Sequence, residues 1–450
     1  MADKQEFRAA RLPRDPGPAG WNELLDPPAD PVRLEGAERA DLLIVGAGFA
    51  GLAAAHRAFS HDQNQRIVVL EASRLAAGPA GRNSGFMIDL PHDLSSSAYA
   101  GSAAQDLRQI RDNRMAIEFA AGLAKNAGLG TSAFDRCGKI NAAASPRGLA
   151  HNEDYSRHLK SLCEDFKLLD AVEMKATTGI DYYQGGLFTP GAAIIQPAAY
   201  IRGIARLAEA SGVKIYENTP LLSLQRFGAF WTAKTPLGEI RAPKVILAIN
   251  GHANSLGLFS GRLMHTFTYA SMTRTLSQAE ERALGGHAVW GVTPSDPLGS
   301  TVRKIQTDDG ARLLMRNRFT YDPSMEVSDK KLAVITRSHD LAFKARFPML
   351  EAVEMSHRWG GRLCLSWNNV SAFGEVAPRL FSACCHNGLG TTKGTFGGMM
   401  AADLAFGQVS DPLRDLLADP APTRLPPAPF DRLGASLRLR FGEYRAGAEL

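Results

Sequence analysis

The residues best placed to do chemistry are three glycines and an acid, Gly46-Ala-Gly48-Phe-Ala-Gly51 and Glu71. Gly46 permits a tight turn, Gly48 lets the main chain approach a pyrophosphate, and Gly51 allows close helix–strand packing. Ala47, Phe49 and Ala50 complete the turn, so a diphosphate would meet free N–H groups at a helix N-terminus. Glu71 follows Gly51 by 20 residues; with Ala72 it ends the next strand, where a carboxylate accepts ribose hydroxyls and repels a 2′-phosphate. NAD and FAD share this pattern. A second glycine-rich loop, Arg74 to Gly85, carries Gly81, Arg82, Asn83 and Ser84. A lone nicotinamide site has no use for it. Flavin is larger, and a loop rich in main chain can pass beside its pyrophosphate and ring.

These residues need a scaffold. The apolar run 41–46 reads as a buried parallel strand, 48–60 as a helix and 66–71 as a second strand, together a βαβ unit. Residues 104–127 and 150–175 read as helices, 185–196 as a short hairpin, and 197–211 as a helix entered at Pro197. Strands are expected at 213–216, 229–235 and 245–249. Between 262 and 337 strand-like segments dominate (264–275, 300–307, 312–317), as for a separate antiparallel sheet. A helix at 339–358, strands at 362–373 and 380–385, and a helix through Ala405 follow. Residues 1–40, with six prolines, read as an extended surface lead-in, and 411–450 as an irregular tail.

Composition narrows the class. The 450 residues are 45% apolar and 22% charged, with a net charge of +5 and no basic block, which excludes a disordered tail protein and leaves no nucleic-acid footprint. Five cysteines lack metal-type spacing and read as buried free thiols in a reducing compartment. Residues 1–40 have no apolar signal-peptide core, and the longest apolar run, Leu42–Ala55, spans 14 residues where a membrane span needs about 20. A cytoplasmic protein is expected, with no nucleic-acid partner and no membrane span. Asp89, Pro91, His92 and Asp93 form a polar cluster without the further ligands a metal needs, so no metal site is expected.

As a set, these motifs resemble the FAD-dependent D-amino-acid-oxidase-like superfamily, nearest to its glycine oxidase, sarcosine oxidase and γ-glutamylputrescine oxidase branches. Val245 to Asn254, with Ala248 and Asn250, looks like the family's strand returning to the FAD domain. Gly185 to Pro197, followed by Gly212 to Leu221, resembles its middle segment, which implies that Leu221 meets adenine. Cys385 to Gly394 stands where the family turns over the flavin's pyrimidine end, implying contacts from Gly388, Leu389, Gly390, Thr391 and Thr392. Leu389 replaces a common His, and Trp367-Asn368 replaces a Pro-Asp pair. Members with covalent flavin carry a Cys near here. Gly361 occupies that register, so non-covalent FAD is expected, with Cys364 as the covalent alternative.

The resemblance implies an α/β protein, α+β overall: a Rossmann-like FAD-binding domain (41–100, 190–260, 360–410) with an inserted antiparallel-sheet substrate domain (101–189, 261–359). Arg303, Arg312, Arg316 and Arg318 lie in the expected sheet. Arg316 and Arg318 would share a strand face, either toward a carboxylate-bearing substrate or toward solvent. His265 and Tyr269 lie on the strand that enters the cavity in relatives, as catalytic candidates or as structural residues. Lys393 is a further cation near the flavin or on the surface. The implied function is an oxidase of a small amine or amino acid, with O2 as acceptor. A dehydrogenase feeding a quinone or carrier, and a non-catalytic FAD-binding regulatory protein, are the rivals. A monooxygenase is disfavoured because no second G-x-G-x-x-G is present.

Overall fold

The computed structural model describes residues 5–91 and 101–450. His92 and Asp93 lie outside them. Along the chain, the elements that frame the site are β1 (Leu42–Val45), α1 (Phe49–His61), β2 (Ile67–Leu70), β3 (Lys214–Tyr216), β4 (Val245–Leu247), β5 (Leu263–Thr273), β6 (Gly310–Tyr321), α2 (Asp329–Arg346), β7 (Met355–Ser366), β8 (Ala372–Ala377), β9 (Leu380–Cys384), α3 (Thr392–Ala405) and α4 (Phe430–Ala446).

A six-stranded sheet runs β3-β2-β1-β4-β9-β8, parallel except for the β8–β9 edge pair. Every residue of β1 and β2 is buried, as a sheet covered on both faces demands, and this is why these strands are unbroken apolar runs. Helices α1 and α3 pack on this sheet within one core that also takes in Pro197–Ala210. An eight-stranded sheet, with β7, β5 and β6 at one end, carries strands from 139–189 and 263–366. It is antiparallel except where Trp290–Pro294 pairs parallel with Lys139–Ala143. The fold is thus a Rossmann-like α/β half joined to a sheet-and-helix half.

Several local expectations are corrected. The 1–40 segment supplies two edge strands, Glu6–Arg8 and Gly36–Arg39, to a five-stranded sheet. Neither is apolar, so only pairing in space reveals them. The helix expected at 339–358 is α2, displaced toward the N-terminus: the Ser328 side chain caps it at Lys331 N, and Pro348 follows its end. The 12-residue β7 fills the segment after it and crosses residue 360, so the chain leaves the eight-stranded sheet later than expected. Residues 150–175 break at Ser161 into a strand, Lys167–Asp170, and a second helix set by an Asp170/Glu173 capping box. The tail is helical at Asp411–Ala418 and in α4. Cys137 and Cys163 are exposed free thiols; Cys364, Cys384 and Cys385 are buried ones.

Candidate active site

A long cavity runs from the C-terminal end of β1 to the face of β5 and β7. Its first half is a main-chain cradle. Gly46 adopts φ +102°, and a Cβ there would lie 2.6 Å from the Ala248 carbonyl oxygen. A Cβ on Gly51 would sit 1.7 Å from the Gly46 oxygen. No side chain caps α1 at Gly48, so its first N–H groups face the cavity unclaimed. Glu71 accepts the N–H groups of Ala47 (2.9 Å) and Ser73 (3.1 Å). Burial raises its pKa, opposed by those two bonds. Each carboxylate oxygen keeps lone-pair capacity for a ribose hydroxyl. Helix α3 likewise begins without a side-chain cap, at Thr391, whose hydroxyl donates to the Phe86 carbonyl (2.6 Å). These donors, glycines and the acid fit an FAD diphosphate and ribose.

Gly46, Ala47, Gly48, Phe49, Ala50, Glu71, Ala72, Arg82, Asn83, Ser84, Leu221, Ala248, Asn250, Gly388, Leu389, Gly390 and Thr391 all line the cavity. Gly51, Gly81 and Thr392 stand behind its wall. Gly81 acts by absence, since a Cβ there would fall 1.9 Å from the Ala76 oxygen. Thr392 is buried with an unpartnered hydroxyl. Two side chains serve the wall itself. Arg82 donates to the carbonyls of Ala77, Pro16, Gly17 and Gly360. The Asn83 amide binds Ala80 O and Gly85 N. Lys393 is not among the lining residues.

At the far end the catalytic candidates separate. His265 lines the cavity, buried, with Nε2 unpartnered. Burial, helped by the Arg362 charge, lowers its pKa to about 4, so the ring is neutral. Tyr269 also lines the cavity, but its hydroxyl is held by Thr320 Oγ1 (2.6 Å). Arg316 lines it, its guanidinium 4.8 Å from the Phe319 ring centroid. Arg318 does not share that face. It is the extra residue of a β-bulge: Tyr269 pairs with Asn317, Thr268 with Phe319, and Arg318 adopts φ +59°. The bulge sends it to Glu443 (2.8 Å) and Ser338 (3.1 Å), on α4 and α2. Arg303 donates to Ser84 O (2.9 Å) and Ile195 O (2.8 Å), and Arg312 to Thr273 O (3.0 Å).

The structure adds a group absent from the sequence reading. Arg362 binds Asp15 through two 3.0 Å bonds and donates to His252 Nε2. His252 therefore carries its proton on Nδ1, toward Ser255 Oγ (3.2 Å). Burial, with Arg362 and then His265 beside it, lowers the His252 pKa to about 3. His252 and Arg362 lay inside segments already singled out. Asp15, 347 residues from Arg362, gave no local signal. Among the described residues no cluster of three or more His, Cys, Asp or Glu is arranged to hold a metal.

A main-chain cradle of this length, closed over by a second sheet, is the form taken by dinucleotide-dependent oxidoreductases. The DAO family of FAD dependent oxidoreductases matches residues 41–404. Over 412 residues the chain is 25% identical to the probable oxidoreductase OrdL of Rhizobium meliloti (strain 1021), covering 89% of this chain and 90% of that protein. It is 25% identical over 415 residues to the γ-glutamylputrescine oxidoreductase of Escherichia coli (strain K12), covering 89% and 93%. The fold of glycine oxidase from Geobacillus kaustophilus superposes with a TM-score of 0.69 at 18% identity, over 87% of this chain and 100% of that one. The chain belongs to this family of FAD-dependent oxidoreductases.

Proposed function

We propose that the protein oxidises the C–N bond of a carboxylate-bearing amine or amino acid and passes the electrons to O2. The observation that carries this reading is that Arg316 and the neutral ring of His265 both line the cavity, at separate points along β5 and its partner β6. A guanidinium there pairs with a substrate carboxylate and orients the substrate along the cavity. His265 is the neutral imidazole on the cavity wall offered to the substrate amine. With its pKa near 4 it cannot hold an ammonium proton at neutral pH, so the amine must arrive uncharged. Bound FAD supplies the two-electron acceptor. The substrate loses one C–H and one N–H hydrogen to become an imine. Water converts the imine to a carbonyl compound and free amine or ammonia, and O2 takes the two electrons and two protons as hydrogen peroxide. The names borne by relatives, γ-glutamylputrescine oxidoreductase and glycine oxidase, support this substrate class.

The FAD is held non-covalently. Cys364 reaches the cavity wall, but its thiol pKa is raised by its hydrogen bond with Cys385 and by burial. Thiolate, the form that attaches to flavin, is therefore scarce. Denatured protein should release all its flavin to the supernatant. Anaerobic addition of an amine and amino-acid panel should bleach the flavin absorbance with at least one substrate, and air should restore it with peroxide. Bleaching that air does not reverse would assign the electrons to a carrier. No bleaching with any amine would remove the enzymatic reading.

A further inference from the structure

Helix α4 is built inside out. Its residues Phe430, Leu433, Leu437, Phe441 and Tyr444 recur at helical spacing on one face and are 57–84% exposed. The opposite face turns Ala435, Leu439, Gly442 and Ala446 toward the body, with Gly442 so close that a Cβ would lie 2.2 Å from Leu298 Cδ1. The helix's two acids also point inward: Asp431 accepts from the Tyr321 hydroxyl (2.7 Å), and Glu443 from Arg318 (2.8 Å). Its arginines are all exposed. Arg440 flanks the apolar stripe on one side, Arg438 and Arg445 on the other. Helix α2, tied to α4 through Arg318, repeats the arrangement: exposed Val334 and Leu341 share a face with exposed Lys330, Arg337 and Lys344.

We propose that α4 and α2 form a docking surface for a lipid bilayer rich in anionic headgroups. An aromatic and leucine stripe edged with arginine, with its acids turned away, is the composition of a helix lying in a membrane interface. The apolar side chains enter the headgroup boundary, and the arginines meet phosphates. A second copy of the chain fits less well, because a two-fold contact through this stripe would set arginine rows against each other. Among the described residues no helix is long and apolar enough to cross the membrane, so the attachment is peripheral.

The test is co-sedimentation of the full FAD-loaded chain with phosphatidylcholine vesicles, with and without phosphatidylglycerol. Binding is expected only with phosphatidylglycerol, and weaker as salt rises. Replacing both Arg440→Ser and Arg445→Ser should weaken partitioning roughly thirtyfold, two interfacial charges being removed. Leu437→Ser with Phe441→Ser should abolish it, with flavin content and thermal midpoint unchanged. Tyr444→Trp should show added fluorescence quenching by brominated lipid, a readout independent of the serine variants. The proposal is overturned by absent binding to anionic vesicles, by serine variants that bind like the parent, by an unquenched Trp, or by a solution dimer that Leu437→Ser dissociates.

Discussion

At the residue scale, the cavity separates groups by how firmly their neighbours fix them. His265 is neutral because burial and the Arg362 charge both disfavour the imidazolium, so it does not titrate in the working range. If it acts as a hydrogen-bond acceptor, kcat/KM should rise with pH as substrate ammonium deprotonates, with no limb near pH 6.5. His265→Asn should lower kcat/KM by about 10- to 100-fold, the worth of one buried hydrogen bond, and leave that rising limb in place. A limb near 6.5 that vanishes in the variant would make His265 the base instead. Arg316→Gln should raise KM for carboxylate-bearing substrates by a similar factor and leave carboxylate-free amines little changed. The glycines permit no such gradation. Gly51→Ala puts a methyl into the Gly46 oxygen, so the purified variant should be colourless or insoluble. A yellow, stable Gly51→Ala protein would refute the cradle.

At the element scale, the 1–40 segment is part of the cavity and not a lead-in to it. Ala9, Arg11, Leu12, Pro13 and Asp15 line the cavity, Trp21 Nε1 donates to Asn83 O (2.8 Å), and Arg82 holds the Pro16 and Gly17 carbonyls. Asp15 is the countercharge of the buried Arg362. Asp15→Asn leaves that guanidinium without its anion, a loss of about 3–5 kcal/mol for a buried pair. The expected result is a lower thermal midpoint and faster flavin release on dilution. Unchanged values for both would show the pair to be solvated. This segment also marks the limit of what the sequence made legible. The glycine turn, β1, α1, β2 and Glu71 were readable because their signals are local: an apolar run, a glycine spacing, an acid at a strand end. The Asp15–Arg362 pair was not, because its partners meet only through the tertiary fold. The bulge at Arg318 was invisible for a related reason. A strict two-residue alternation predicts that Arg316 and Arg318 share a face, and one inserted residue reverses it. The bounds of α2 were legible in principle, since Ser328 before it and Pro348 after it are ordinary helix punctuation, but the neighbouring strand pattern masked them.

At the scale of the whole molecule, histidines buried in both halves make the fold sensitive to acid. His252, His265 and His386 border the cavity, His386 beneath the N-terminal turn of α3, and His339 of α2 bonds Ser271 on β5 (2.7 Å). Burial lowers all four pKa values, to about 3 for His252 and His339 and about 4 for His265 and His386. The unfolded chain binds these protons near pH 6.5, and the folded chain refuses them until pH 3–4. Stability contributed by neutral histidines is therefore complete above pH 6.5 and is lost as pH falls through the window below it, by about 1.4 kcal/mol per pH unit for each ring. Glu71, Asp112, Glu209 and Glu449, whose pKa values burial raises, oppose this, because the folded state protonates them first. Burial also lowers His56, His151 and His357, so seven rings against four carboxyls leave a net loss, and a domain stable by about 5–15 kcal/mol cannot absorb it over two pH units. The thermal midpoint should fall steeply between pH 6.5 and 4.5, with flavin release in the same transition because three of the rings border the FAD cavity. His339→Gln removes one titrating ring that does not line that cavity, so its stability should fall less steeply with acid while flavin release still follows unfolding. A midpoint flat from pH 7 to 5 would mean that water reaches these rings and that the two halves close less tightly around the cavity than the structure shows.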